Sequence, residues 1–189
     1  YNNKYKDILH IAPERELKNL FSGISENYVC GDINPKNYKH MKAIYLDATN
    51  IPFKNEEFNC IYASHILEHI IEDRKAMCEM YRVLKKNGTL IALIPQAFSL
   101  EKTYEDYSIV SPEDRKRVFG QWDHVRLYGC DFSERLKTSG FYVTIFYSNE
   151  QEENVNKMKF DEKHIINSDD MEKFGLSKAD LLYVCSKKN

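Results

Sequence analysis

The chain has 189 residues, 27 of them basic and 29 acidic, with a formal net charge of −2. This length suits one domain with a substantial core and is too short to expect two, so we predict a single domain over residues 1–189. The balanced charge argues against a nucleic-acid surface, and no apolar run approaches the roughly 18 residues of a membrane span, so neither partner is expected and the default location is cytoplasmic.

Short apolar strands alternate with helical patterns in the first half of the chain. Strands are predicted over residues 8–11, 28–32, 43–46, 58–63 and 89–94, and helices over 14–21 and 73–86. The second helix has apolar residues at helical spacing, and Asn87 and Gly88 are predicted to stop it. The alternation predicts an α/β fold, a doubly wound and mostly parallel sheet with helices on both faces.

Residues 96–130 interrupt this alternation and are predicted to form an insertion on the substrate side. They contain one clear helix, with Ser111 as its N-cap, Pro112 in its first turn and Gly120 after its end. Beyond the insertion we predict a helix over 132–139, a strand over 141–147, mostly loop over 148–180, and a final strand over 181–185.

The cysteines give no sign of a disulfide framework or a metal site. The chain has five of them, never in a C-x-x-C pair: Cys30, Cys60, Cys78, Cys130 and Cys185. An odd number at this spacing favours buried, reduced thiols, and no metal is predicted.

Two predicted strands end in an acid, Asp32 and Asp47. Ligands of open parallel sheets bind beyond the carboxyl ends of the strands. Asp32, followed by Ile33, is placed to accept hydrogen bonds from ribose hydroxyls, and Asp47, followed by Ala48, to meet an adenine amine. Strand-end aspartates also form ordinary turns and caps, but two in register at adjacent strands favour a nucleoside ligand.

Two longer segments identify the family that the chain resembles. The runs "LDATNIPFKNEEFNCIYASHILEHI" and "EMYRVLKKNGTLIALIP" resemble the central block of class I S-adenosylmethionine-dependent methyltransferases of the type 11 kind. The resemblance covers about residues 8–95 and 131–186, and departs from the family where Asn59 replaces the usual Asp and Asn87 the usual Gly. It implies S-adenosylmethionine as cofactor, S-adenosylhomocysteine as product, and a Rossmann-like seven-stranded sheet whose last strand is antiparallel.

The first strand-to-helix turn, within "ILHIAPERE", lacks the glycines of dinucleotide sites. S-adenosylmethionine has no phosphate, so its methionine end needs hydrogen-bond partners more than steric clearance. We expect Ala12 to allow a close approach, the backbone N–H groups of Glu14 and Arg15 after Pro13 to meet the carboxylate, and Glu14 or His10 to face the ammonium. The alternative is that the turn is simply a good helix start.

Candidate residues for the methyl-transfer end lie after the fourth strand and in the insertion. Methyl transfer is an in-line displacement that needs a general base only when the acceptor must lose a proton. We expect Ser64 and His65 to line the cofactor, beside Glu68. The predicted catalytic residues are Tyr104, Asp123 and His124, and the predicted substrate-binding residues are His69, Trp122, Arg126 and Tyr128. A structural role for His124 stays open, because adjacent residues of an extended chain point in opposite directions.

The sequence thus predicts a methyltransferase whose acceptor is a small molecule or a glycan. Two alternatives remain. A non-catalytic module that binds an adenosyl ligand is supported by the glycine-free turn. A nicotinamide-dependent oxidoreductase is disfavoured by the same missing glycines and by the predicted antiparallel last strand. The acceptor atom and the oligomeric state stay open.

Overall fold

The computed structural model describes residues 5–166 and 180–187. The strands, in chain order, are β1 (Asp7–Ile11), β2 (Asn27–Asp32), β3 (Ile44–Tyr45), β4 (Phe58–Ser64), β5 (Leu84–Leu93), β6 (Tyr104–Glu105), β7 (Arg126–Leu127), β8 (Tyr142–Tyr147), β9 (Glu162–Ile165) and β10 (Leu182–Ser186). The α-helices are α1 (Arg15–Ile24), α2 (Asp73–Val83), α3 (Pro112–Phe119), α4 (Phe132–Thr138) and α5 (Glu152–Val155). Short 3₁₀ helices span Pro35–Met41, Leu67–His69 and Asn149–Gln151.

The main sheet is doubly wound, in the strand order β3-β2-β1-β4-β5-β10-β8-β9. β10 runs antiparallel to both of its neighbours, and the other pairs are parallel. The predicted fold class and the antiparallel last strand are therefore confirmed. β9 extends the predicted seven strands to eight within the described residues. All four of its residues are exposed, so its sequence carries no burial pattern that would have predicted a strand.

Helices cover both faces of the sheet, as predicted. Side chains alternate across a strand, and in β1 Leu9 and Ile11 belong to the large core that also contains the buried faces of α2 and α4. On the other face, Ile8 packs with Phe21 of α1 in a smaller cluster, and the His10 ring meets Phe21 edge-on at 5.1 Å between centroids. The α1 face therefore receives a polar side chain at a fully buried position.

Helix α2 ends at Val83, so the prediction that it continues to residue 86 is wrong. Leu84 is fully buried and takes an extended conformation at the start of β5. The strand therefore begins five residues before its predicted start at residue 89. The left-handed residue is Asn87, with φ +59°. Gly88 is required for space instead, since a Cβ there would lie 2.8 Å from the Leu84 side chain.

The other predicted helix ends agree better with the structure. The Ser111 side chain caps α3 by accepting from the Asp114 N–H at 3.1 Å, and Gly120 follows the helix with φ +86°. Gly140 has φ +103° after α4, as its predicted stop role requires. Helix α1 continues three residues past its predicted end at residue 21.

The insertion docks on the segment that follows β4. β6 and β7 pair as a short antiparallel ribbon around α3. The Val125 N–H donates to the Glu68 carbonyl at 2.9 Å, and the Arg126 guanidinium donates to the carbonyls of Leu67, Ile70 and Ile71. These contacts bring the insertion to the carboxyl-end edge of the sheet. The single-domain assignment stays a prediction.

Four of the five cysteines are buried free thiols, as predicted, and Cys78 on α2 is exposed. In the described ranges, no helix has the length and apolar character needed to cross a bilayer.

Candidate active site

A cleft of about 500 Å³ lies at the carboxyl ends of β1 to β4. The strand order reverses between β1 and β4, which makes this the place where open α/β sheets bind ligands. Its wall contains residues from three predicted groups: the first turn, the strand-end acids, and the segment after β4 together with the insertion.

Asp32 and Asp47 both line the cleft. Oδ1 of Asp32 accepts from the Asn34 N–H at 2.6 Å, and Oδ1 of Asp47 accepts from the N–H and the hydroxyl of Thr49 at 2.8 Å each. Within residues 5–166 and 180–187, these bonds use only the Oδ1 atoms. The turn-forming role is therefore present, and Oδ2 of each carboxylate is left for a ligand. Ile33 and Ala48, beside these acids, also line the cleft.

The first turn has a left-handed residue although it contains no glycine. Ala12 lines the cleft with φ +50°, and its N–H donates to the Gly31 carbonyl at 2.8 Å. Pro13 is buried, and α1 begins at Arg15 with Glu14 as its N-cap residue. The backbone shape that glycine favours is thus kept by the smallest side chain.

His10 and Glu14 do not line the cleft, so the structure does not bring either of them directly to a ligand there. His10 is fully buried among aromatic rings, with Nε2 at 2.6 Å from Glu14 Oε2 and Nδ1 at 2.9 Å from the Tyr28 hydroxyl. The Glu14 N–H also points toward His10, at 3.3 Å from Nε2, and not toward a ligand as predicted. His10 therefore fixes the Glu14 carboxylate at the helix start.

Glu14 nevertheless acts on the cleft through its charge. Burial, followed by the negative charges of Asp32 and Glu14, raises the pKa of Tyr38 in the cleft wall. The charge of Glu14 also contributes to the raised pKa of His65. The cleft near the first turn is therefore a negative environment, which favours a cationic group.

After β4, His65 lines the cleft and Ser64 does not. His65 has φ +51°, and its Nδ1 lies 3.5 Å from Glu68 Oε1. Hydrogen bonding to Glu68 is the main reason that the pKa of His65 is raised, because the carboxylate stabilises the imidazolium. Ser64 is buried. Strand alternation puts its side chain on the α1 face with Tyr62, so the structure does not bring it to the cleft as predicted.

Asp123 and His69 pair with each other at the cleft wall. His69 Nδ1 lies 3.3 Å from Asp123 Oδ2, and Oδ1 of Asp123 accepts from the Gln121 amide at 2.9 Å. His124 is buried behind this pair, with its ring 4.8 Å from that of His69, and burial lowers its pKa. Of the predicted catalytic residues, Asp123 alone lines the cleft.

Arg126 and Tyr128 are buried in an ion network, so the structure does not place them where their predicted substrate contacts would require. The Tyr128 hydroxyl donates to Asp73 at 2.8 Å, and Arg126 Nε donates to Glu105 at 2.9 Å. Arg135 bonds both acids, at 2.9 Å and 2.6 Å. These residues hold the insertion on the segment after β4, and none of them lines the cleft.

Tyr104 and Trp122 also lie away from the cleft. Trp122 is 61% exposed, and the Tyr104 ring packs 6.1 Å from that of Phe119. The structure therefore does not bring Tyr104 or Trp122 together with the other predicted site residues. The structure instead adds Asn37 and Tyr38, from the 3₁₀ segment after β2, to the wall. That segment comes shortly after Asp32, the acid at the end of β2. Its position after this acid is the sequence feature that could have indicated a place in the cleft wall.

The comparisons with known proteins agree with this architecture. Residues 15–92 match a family described as "Methyltransferase domain". A ubiquinone/menaquinone biosynthesis C-methyltransferase of Marinomonas sp. is 33% identical over 72 residues, which are 36% of this chain and 29% of that protein. The Citrobacter koseri protein of the same description is 32% identical over 102 residues, 46% of this chain and 41% of that protein. The match thus spans less than half the length of these relatives.

A solved structure shows that the fold is shared along the whole chain. A SAM-dependent methyltransferase from Archaeoglobus fulgidus superposes with a TM-score of 0.63 and covers 99% of this chain and 88% of its own. The sequence identity is 16%, so this likeness concerns the fold.

Proposed function

We propose that this chain, whose residues 15–92 match the family described as "Methyltransferase domain", is a class I S-adenosylmethionine-dependent methyltransferase that transfers a methyl group from S-adenosylmethionine to a small molecule or a glycan. The observation that carries the proposal is the cleft at the strand-order reversal, which holds Asp32, Asp47 and the left-handed Ala12 in one wall. S-adenosylmethionine has a ribose that would meet Asp32, an adenine that would meet Asp47, and a methionine end that would pass Ala12.

The cofactor would lie along the ends of β1 to β4. Oδ2 of Asp32 would accept from the ribose hydroxyls, and Asp47 with the Ala48 backbone would meet the adenine. The methionine end would pass Ala12, with its ammonium near Glu14, the carboxylate that His10 fixes at 2.6 Å. The sulfonium would then face His65 and the acceptor side.

When bound, S-adenosylmethionine would supply a methyl group on a sulfonium sulfur. A lone pair of the acceptor would form the new bond to the methyl carbon, while the electron pair of the broken carbon–sulfur bond would stay on sulfur and leave S-adenosylhomocysteine. When the acceptor is a hydroxyl or an amine, its proton would pass to Asp123, the predicted catalytic side chain that lines the cleft. Alignment in the cleft supplies much of the rate.

Small molecules and glycans suit this cleft better than nucleic acid. Its wall carries the carboxylates of Asp32, Asp47 and Asp123, which repel a phosphate backbone. The names of the matched relatives suggest a quinone-type acceptor as a second candidate. However, the family match ends at residue 92, before the insertion that supplies the acceptor side.

The direct test incubates the protein with methyl-labelled S-adenosylmethionine and a panel of sugars, phenols, amines, thiols and a short-chain quinol. We expect acceptor-dependent label transfer with an equal amount of S-adenosylhomocysteine. The control is the same reaction without acceptor. Binding of the cofactor with no transfer across the panel would favour the non-catalytic module.

Replacing Ala12 with glycine tests whether the glycine-free first turn still allows an adenosyl ligand to bind. A left-handed conformation costs a non-glycine residue roughly 1–2 kcal/mol, and the added freedom of the unfolded chain offsets about 0.4–1 kcal/mol of the gain. We therefore expect A12G to be as stable as wild type or more stable by up to about 1.6 kcal/mol, and to bind S-adenosylhomocysteine within about threefold of wild type. Denaturant unfolding and calorimetry measure both.

The matched control is A97G, at a loop residue outside the left-handed region, which should lose about 0.4–1 kcal/mol. If only A12G bound the adenosyl ligand, the natural turn would be a degenerate site.

A further inference from the structure

We propose that Glu68, His69 and His124 form a binding site for a divalent transition metal ion, of the kind that accepts mixed nitrogen and oxygen ligands, at the acceptor side of the cleft. Two imidazoles and one carboxylate are a common ligand set for such ions. One potential ligand atom from each of the three residues lies within 4.8 Å of the others.

The three residues are held together by the docking of the insertion. Glu68 and His69 belong to the 3₁₀ helix after β4, and His124 comes from the insertion, next to the Val125 N–H that donates to the Glu68 carbonyl at 2.9 Å. Metal–ligand bonds of about 2.0–2.2 Å put two ligand atoms of a tetrahedral site about 3.4 Å apart. Small side-chain rotations therefore suffice to close the cluster on an ion.

The second nitrogen of each imidazole faces an oxygen atom that would orient it. His69 Nδ1 lies 3.3 Å from Asp123 Oδ2, which leaves Nε2 facing Glu68 Oε1 at 4.0 Å. His124 Nδ1 lies 3.3 Å from the Phe119 carbonyl. A carbonyl only accepts, so Nδ1 carries the proton and Nε2 carries the lone pair. Metal-binding histidines almost always donate their other ring N–H to a carboxylate or a carbonyl in this way.

Glu68 supplies an independent indication of a ligand. The residue is 1% exposed, and its Oε2 is buried with no hydrogen-bond partner in the described structure. An unpartnered buried carboxylate oxygen is costly, and a cation beside it would remove that cost. His65, at 3.5 Å, and His69, at 4.0 Å, approach only the other oxygen.

Three protein ligands are the number found in catalytic zinc sites, whose fourth position takes water or substrate. His69 lines the cleft, whereas Glu68 and His124 are buried behind it. The open position would thus face the cleft and take an oxygen or nitrogen atom of the acceptor. This assignment of the acceptor class rests on the proposed function, but the metal site itself does not.

The test uses chelator-treated protein of residues 1–189 with Cys78→Ser in the background, because the exposed Cys78 thiol would also bind soft metals. Zn²⁺ binding is measured by calorimetry, and Co²⁺ binding by the visible absorption that a four- or five-coordinate site gives. We expect one equivalent of each metal and a melting temperature that rises with Zn²⁺ concentration. E68Q, H69Q and H124Q should each weaken binding by more than about 100-fold.

Two further variants keep the result interpretable if a buried substitution harms folding. D123N changes a partly exposed residue behind His69 and should weaken Zn²⁺ binding by about 10–100-fold, as losses of orienting groups do. H164Q is the matched control, since His164 lies 3.6 Å from Glu162 in an exposed pair far along the chain, and it should bind as wild type does.

Wild-type protein without stoichiometric Zn²⁺ or Co²⁺ binding would overturn the proposal. Equal affinity in wild type, D123N and the folded ligand variants would overturn it as well. No methyl donor or acceptor is present in this experiment, so its failure is distinguishable from a failure of methyl transfer.

Discussion

Asp32→Asn is expected to raise the dissociation constant for S-adenosylhomocysteine at least about tenfold. The carboxylate is proposed to accept two hydrogen bonds from the ribose, and bonds to a charged group contribute about 1.5–3 kcal/mol each. Loss of about 1.4 kcal/mol corresponds to a tenfold change in affinity. Calorimetric titration of wild type and variant measures the effect.

The substitution is chosen to spare the local backbone. An asparagine oxygen still accepts from the Asn34 N–H that lies 2.6 Å from Asp32 Oδ1, so the turn is kept while the charge is removed. D106N is the matched control, because Asp106 Oδ1 accepts from the Ser108 N–H at 3.0 Å in the same kind of turn, away from the cleft. An affinity within about threefold of wild type for a folded D32N would show that the ribose does not bind here.

Arg126→Ala is expected to destabilise the protein by about 3–5 kcal/mol, the usual cost of removing one partner of a buried ion pair. The Arg126 side chain is 0% exposed and serves Glu105 together with three backbone carbonyls. For a protein of this size, about 2–4 °C of melting temperature correspond to each kcal/mol. Thermal unfolding should therefore show a fall of about 6–20 °C.

The pKa of Glu105 reports the same network. Burial alone would raise this pKa, but the hydrogen bonds and charges of Arg135 and Arg126 outweigh burial and hold it below its usual value. R126A leaves the half-buried Glu105 carboxylate with Arg135 as its remaining arginine partner in the described residues, and the three backbone carbonyls lose their donor.

R117A is the control for charge removal alone. Arg117 pairs with Asp114 at 2.7 Å, but its side chain is 76% exposed, and such pairs contribute about 0–1 kcal/mol. Below its melting transition, R126A should bind S-adenosylhomocysteine nearly as well as wild type does. A stable R126A with weakened acceptor binding would instead restore the predicted substrate role of Arg126.

The sequence predicted most accurately what depends on local pattern. The apolar strand patterns, each followed by an acid, predicted that Asp32 and Asp47 lie together at the carboxyl-end edge of the sheet, where both line the cleft. The capping residue Ser111 and the stop residue Gly120 predicted the ends of helix α3. These features are set by residues close to one another in the chain. The structure therefore confirms the parallel core of the sheet, and both acids line the cleft at its carboxyl-end edge.

The predicted site residues that the structure does not bring to the cleft are those whose contacts are set by distant partners. Arg126 and Tyr128 have the composition of a binding site, but Arg126 is bound by carbonyls of Leu67, Ile70 and Ile71 and Tyr128 by Asp73. His10 faces α1 because of strand alternation, yet the aromatic cage around it comes from three elements. Sequence spacing within one segment carries no information on such contacts.

The most direct test of the central claim, that the cleft holds an adenosyl cofactor, is one calorimetric series on the wild-type protein. It compares S-adenosylmethionine, S-adenosylhomocysteine and NAD under the same conditions. The structure predicts that both adenosyl compounds bind with one site per chain and that NAD does not bind. Binding of NAD alone, or of none of the three, would contradict the claim.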